Sequence, residues 1–156
     1  HSLATTINNS GIKDPLFIAV MNGAFLFAAD VMRKITIPNT EISFIKLSSY
    51  SGTESTGEVN ELIGISGDIS GRNIVILEDI IDTGTTLEKI MSLLKKENVA
   101  DIKIATLLFK PGSYKSDISI DYIGKSIPND FVVGYGLDYN EIGRNLPHIY
   151  KLKNEI

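Results

Sequence analysis

"VILEDIIDTGTT", residues 75–86, decides the fold and raises a chemical question. Its Val/Ile/Leu run belongs to a strand over residues 73–79 ("NIVILED") buried on both faces, yet Glu78 and Asp79 stand side by side at its end. Asp82-Thr83-Gly84-Thr85-Thr86 follows, small, polar and flexible. Leu87, Ile90, Met91 and Leu94 then fall at i, i+3, i+4 and i+7 with charges between them, which predicts an amphipathic helix. Burying a carboxylate is costly unless a partner compensates it. Three acids, Glu78, Asp79 and Asp82, therefore need something to meet.

The flanking sequence extends the pattern. Residues 15–21 ("PLFIAVM") form a continuous apolar run of strand length, and residues 24–35 ("AFLFAADVMRKI"), after Gly23, are long enough for a buried helix. Residues 41–47 ("EISFIKL") alternate as a strand does, and residues 102–109 and 131–135 supply two more strands. Apolar strands alternating with helices predict an α/β fold: one domain, residues 1–156, with a parallel sheet flanked by helices. Ligands of such sheets sit beyond the carboxyl ends of the strands. Asn22-Gly23, residues 78–86 and Lys110-Pro111-Gly112 would gather on that rim. Residues 48–60 ("SSYSGTESTGEVN") have almost no apolar content and read as a long mobile loop.

Bulk composition narrows the function classes. A chain of 156 residues with 43% hydrophobic and 22% charged residues is long enough for one sizeable core. A net charge of −4 argues against a non-specific grip on nucleic acid or on an anionic membrane. Without cysteine there is neither a disulfide nor a thiolate nucleophile, and a cytoplasmic location fits. No apolar run approaches the ~20 residues of a membrane span, and no signal peptide is visible. His1-Ser2-Leu3 opens the chain without Met, as a trimmed or tagged N-terminus would.

Three readings compete for residues 75–86. Asp82-Thr83-Gly84 matches the tripeptide of aspartic proteases, but those place two such aspartates in an all-β body. This chain has one copy, and a helix follows it at once. The strand also resembles the magnesium-binding strand of a P-loop ATPase. Its partner motif G-x-x-x-x-G-K-[ST] fails, because Gly124-Lys125-Ser126 is preceded by Ser119 where the first glycine belongs. In the third reading, the backbone N–H groups and positive helix end cradle a monophosphate, with hydroxyls from Thr83, Thr85 and Thr86. Gly84 lets the backbone come close. Carboxylates repel phosphate but accept hydrogen bonds from sugar hydroxyls, so the ligand described is a sugar phosphate.

At these residues the chain resembles the type I phosphoribosyltransferases, in the version carried by hypoxanthine-guanine phosphoribosyltransferases. The resemblance runs from Pro15 to about Ile149. It implies a small base-binding hood beside the parallel sheet. It implies a pyrophosphate loop at "VMNGAF", where Asn22 and Gly23 would present backbone amides, often across a non-proline cis peptide at Met21–Asn22. The family usually carries lysine at the position of Asn22. Residues 48–60 would be the lid, with Ser49 and Tyr50 reaching the pyrophosphate, and Arg144 would pair with pyrophosphate as a bidentate guanidinium.

The resemblance also assigns the base site. Lys110 would hydrogen-bond the purine 6-oxo group, Phe131 would stack on the base and Val132 would read it through its backbone. Asp138 would lie near the 2-position. The implied substrates are a purine base, hypoxanthine or guanine, and 5-phosphoribosyl 1-pyrophosphate. The implied cofactor is Mg2+ on Glu78, Asp79 and Asp138, a hard ion with oxygen ligands. Glu78 and Asp79 would hold the ribose hydroxyls, directly or through the metal. Asp82 would be the general acid/base at purine N7, and Lys110 would stabilise negative charge building on the 6-oxo oxygen. A homodimer or homotetramer is expected, with no nucleic-acid or membrane partner.

Overall fold

The computed structural model describes residues 3–48 and 61–153, with the backbone alone at 61–63. Strand β1 (Pro15–Val20) is buried along all six residues, because it lies in the middle of the sheet. Strands β2 (Glu41–Leu47) and β4 (Asn73–Ile81) flank it, both parallel to it. Strand β5 (Asp101–Phe109) pairs with β4 and β6 (Tyr122–Ser126) with β5, again in parallel. The short β3 (Glu61–Ile63) adds an antiparallel edge to β2, giving the order β3-β2-β1-β4-β5-β6.

Period-two alternation sorts the side chains onto two faces. Leu16, Ile18, Ile74 and Ile76 pack against Leu87, Ile90 and Leu94 of helix α3 (Thr85–Lys95). Phe17, Ala19, Val75 and Leu77 pack against Phe27, Ala28 and Val31 of helix α2 (Phe25–Met32) and Ile7 of helix α1 (Leu3–Asn8). Each fully buried Ile, Leu or Phe contributes about 1.5–3 kcal/mol of transfer free energy. Both faces are thus anchored without a polar contact. The chain leaves β1 towards β2 on one side and returns to β4 on the other. Strand order therefore reverses between β1 and β4, the place where such sheets open a ligand crevice.

Several elements differ from expectation. Strand β4 continues to Ile81, where Ile80 and Ile81 pair with Leu108 and Phe109, so Glu78 and Asp79 lie inside the ladder. Helix α2 stops at Met32, because β-branched Ile35, Thr36 and Ile37 lead into Pro38. The strand expected over residues 131–135 shrinks to β7 (Val132–Val133), which pairs antiparallel with β8 (Tyr150–Lys151) outside the main sheet. Its end is forced by three successive positive φ angles, at Gly134, Tyr135 and Gly136. Ser49 and Tyr50 lie outside the described residues. Among the described residues, no helix is long and apolar enough to cross a membrane.

Candidate active site

The two carboxyls of β4 and Asp82, in the loop that follows it, meet different partners. Glu78 is only 4% exposed. Burial, then the charge of Asp79 and a hydrogen bond with it, hold the Glu78 carboxyl well above the usual range. Burial likewise pushes Asp79 up to about 6. Backbone N–H groups of Ile80 and Asp79 and the Arg144 guanidinium pull it down, while Asp138 pushes it up. Both carboxyls therefore bind a proton more tightly than exposed ones do when no ligand is bound.

That arrangement fixes the sign of a pH effect. Asp79 binds its proton more tightly in the folded chain (about 6) than at its ordinary value of 3.8. The stability it contributes is present below pH ~4 and is lost as pH rises through about 6. From pH 4 to pH 8 the loss amounts to about 2 kcal/mol. Urea unfolding of the unliganded protein at those two pH values measures it. In Asp79→Asn the protein should gain stability relative to wild type at pH 8 and not at pH 4. A constant offset between the two proteins at both pH values would remove the raised Asp79 from this account.

Asp82 meets a cation. The Lys110 Nζ donates to its Oδ2 at 3.1 Å, from a lysine whose side chain is 10% exposed beside an aspartate that is 47% exposed. Lys110 is placed there by its own N–H, which donates to the Ile81 carbonyl at 3.0 Å, directly after β5. The loop between β4 and α3 is shaped by Gly84, which caps the helix at φ 93° with no side-chain cap. A Cβ at Gly84 would meet the Tyr114 ring at 2.7 Å and Ser116 at 2.9 Å, so only glycine fits. The Thr83 and Thr85 hydroxyls lie 3.1 Å apart, with Thr86 next in the first turn. Glu78 and residues 80–87 line an open depression of about 320 Å³ at this helix end.

On the other side, the Met21–Asn22 bond is cis, and Gly23 lies directly against Asp79. Gly136 sits over the Gly23 carbonyl. Arg144 Nη1 donates to the Gly136 carbonyl at 2.9 Å, and Nη2 reaches Asp138 at 3.3 Å and Glu141 at 3.2 Å. One rim thus gathers Asn22, Gly23, Glu78, Asp79, Asp82, Thr83, Gly84, Thr85, Thr86, Lys110, Asp138 and Arg144. Val132 stands on the small sheet beside it, and Phe131 directly precedes that sheet. Phe131 is 54% exposed and meets Tyr139 edge to face at 5.8 Å, which leaves a ring face open for stacking. Sequence reasoning missed Glu141, Gly136 and the Tyr135–Asp30 hydrogen bond of 2.5 Å. The Gly-Tyr-Gly triplet at 134–136 was the one available signal.

A family model, "Phosphoribosyl transferase domain", matches residues 1–140. The chain belongs to the phosphoribosyltransferase family. Within that family it groups with the hypoxanthine-guanine phosphoribosyltransferases. The enzyme of that name from Staphylococcus epidermidis is 47% identical over 140 residues, 89% of this chain and 78% of the relative. A crystal structure of a hypoxanthine phosphoribosyltransferase from Staphylococcus aureus superposes with a TM-score of 0.88 at 42% identity, covering 97% of this chain and 83% of that one. A hypoxanthine-guanine phosphoribosyltransferase from Bacillus anthracis, solved with a HEPES molecule in its active site, gives 0.87 at 41% identity, covering 97% and 89%.

Proposed function

We propose that the chain transfers the phosphoribosyl group of 5-phosphoribosyl 1-pyrophosphate to hypoxanthine or guanine, forming IMP or GMP and releasing pyrophosphate. The observation that carries this reading is the Asp82–Lys110 ion pair at the mouth of a phosphate-sized loop, beside the buried Glu78 and the half-buried Asp79. The bond from the anomeric carbon to pyrophosphate oxygen breaks, and a bond to the purine nitrogen forms. Cleavage runs ahead of bond formation and leaves the ribose cation-like between its two partners. The backbone amides at the start of α3 and the hydroxyls of Thr83, Thr85 and Thr86 hold the 5-phosphate. Glu78 and Asp79 accept hydrogen bonds from the ribose hydroxyls and set the anomeric carbon between base and leaving group.

Asp82, as carboxylate, takes the purine proton and returns it in the reverse direction. Lys110 offsets negative charge growing on the 6-oxo oxygen. Asn22 and Gly23 offer backbone N–H groups to pyrophosphate, and Arg144 supplies the guanidinium. Phe131 stacks on the base, Val132 reads it through its backbone, and Asp138 lies near its 2-position.

Among the described residues, no three His, Cys, Asp or Glu side chains form a closed metal site. Mg2+ usually keeps waters and binds through one or two carboxylates plus substrate phosphates. The buried Glu78, whose carboxyl is held well above its usual range, and the adjacent Asp79 would hold it, with Asp138 as a further oxygen donor. Bound Mg2+ supplies Lewis-acid neutralisation of the leaving pyrophosphate. The chain acts as a single domain, in a homodimer or homotetramer, in the cytoplasm.

The test is nucleotide formation, followed by absorbance, from 5-phosphoribosyl 1-pyrophosphate and Mg2+ with hypoxanthine, guanine and xanthine offered separately. Turnover with hypoxanthine or guanine supports the reading. Binding of the sugar phosphate without turnover of any base would make the protein a sensor and sink it. Lys110→Ala should raise KM for the base about tenfold or more while moving pyrophosphate binding little, since it removes a charge-assisted hydrogen bond. Equal loosening of both ligands would remove Lys110 from base recognition.

A further inference from the structure

The segment bearing Asp138 and Arg144 belongs to the hood, yet it must sit at a fixed distance from the loop bearing Gly23. Two contacts join them, and one reaches outside the site already described. Gly136 rests on the Gly23 carbonyl at φ 98°, with Arg144 Nη1 on its own carbonyl and its N–H donated to Arg144 O at 2.9 Å. One residue earlier, Tyr135 stands at φ 51°, a left-handed backbone that a bulky side chain rarely adopts. Surrounding structure has to hold it there. Its N–H donates to Leu146 O at 2.8 Å, and its hydroxyl donates to Asp30 Oδ2 at 2.5 Å, 105 positions away in sequence.

Asp30 lies on α2, the helix that follows Asn22-Gly23 directly, so it moves as one piece with the pyrophosphate loop. The other charged group facing Asp30 is Arg33, at 3.6 Å on the exposed side. Tyr135 also borders an apolar groove with Phe27 and Val31 of α2, so its ring is seated and its hydroxyl is aimed. A hydrogen bond to a carboxylate in such a place is stronger than a neutral one.

We propose that Tyr135 and Asp30 are positioning residues that latch the Asp138–Arg144 segment onto α2 and so set Arg144 opposite the pyrophosphate loop. The role rests on the proposed phosphoribosyl transfer. Neither side chain touches substrate. Both act through Gly136 and Arg144, whose charge already reaches Asp79. Breaking the latch frees the segment to move, so the first quantity to change is the affinity for the pyrophosphate-bearing substrate.

The test is steady-state kinetics and thermal unfolding of wild type, Tyr135→Phe, Asp30→Ala, Asp30→Asn and the double variant Tyr135→Phe with Asp30→Ala. Tyr135→Phe and Asp30→Ala should each raise KM for 5-phosphoribosyl 1-pyrophosphate about tenfold, with kcat and KM for the base within about twofold. Asp30→Asn keeps an acceptor oxygen and should recover most of the loss. The double variant should be no worse than either single one, because both remove the same bond. A lowered Tm with unchanged KM in Tyr135→Phe means packing alone and overturns the latch. Additive losses in the double variant overturn it equally. Wild type without turnover would instead reject the reaction, and this role with it.

Discussion

Asp82→Asn should lower kcat on the order of 10²–10⁴-fold while leaving the dissociation constant for 5-phosphoribosyl 1-pyrophosphate nearly unchanged. The substitution keeps shape and one acceptor oxygen, so Lys110 Nζ retains a hydrogen-bond partner at the place where it now meets Oδ2 at 3.1 Å. It removes the ability to hold a proton. The 5-phosphate contacts come from loop backbone and from Thr83, Thr85 and Thr86, none of which depends on the Asp82 charge. Rate and binding therefore separate. Lys110 is buried, and losing its counter-charge should also lower stability by about 1–3 kcal/mol. Single-turnover rates measured well below the melting temperature keep that loss out of the comparison. Near-normal turnover would take Asp82 out of the mechanism, and a parallel loss of sugar-phosphate affinity would recast it as a ligand.

Much of this site was legible because its signals are local. Strand β4, the Asp-Thr-Gly-Thr-Thr loop and α3 are contiguous, and their periodicity changes from two to 3.6 within a dozen residues. Burial on both faces of β4 followed from its Val/Ile/Leu run, and Gly84 announced a close approach of the backbone. The contacts between distant segments were not legible. Nothing in "VMNGAF" says that Gly23 lies under Asp79, or that Gly136 lies on Gly23. The first arises because β1 and β4 become neighbours across the switch point, and the second because the segment after β7 folds back over the loop that follows β1. The hood misled for a related reason: residues 131–135 carry a strand composition, but positive φ at Gly134, Tyr135 and Gly136 turns the chain after Val133. Helix α1 was missed because six residues hold too few turns for a periodicity to show. The partner of Asp82 was visible only as a lysine at a strand end, since Lys110 reaches it through β5 rather than through sequence.

Gly23→Ala should reduce kcat/KM by about two orders of magnitude or more, although it adds a single methyl group. Gly23 is not at a positive φ, so alanine can adopt its backbone; what glycine provides there is space. An ideal Cβ would overlap the Asp79 carboxyl, which is half-buried and held by the backbone N–H groups of Ile80 and Asp79. The loop cannot relax away freely either, because the Gly23 carbonyl is covered by Gly136. Either Asp79 swings out or the pyrophosphate loop shifts, and a misplacement of about 1 Å at such a site is enough for a 10²-fold loss. Overpacking should also lower stability by about 1–3 kcal/mol. The two effects can be separated in a second background. Adding Asp79→Ala to Gly23→Ala removes the clashing carboxyl and should restore Tm, yet turnover should stay low because a ribose ligand is gone. If Gly23→Ala alone melts early but turns over normally, the close approach serves only packing. Restored turnover in the double variant would show that Asp79 is dispensable, and the ribose assignment would fall with it.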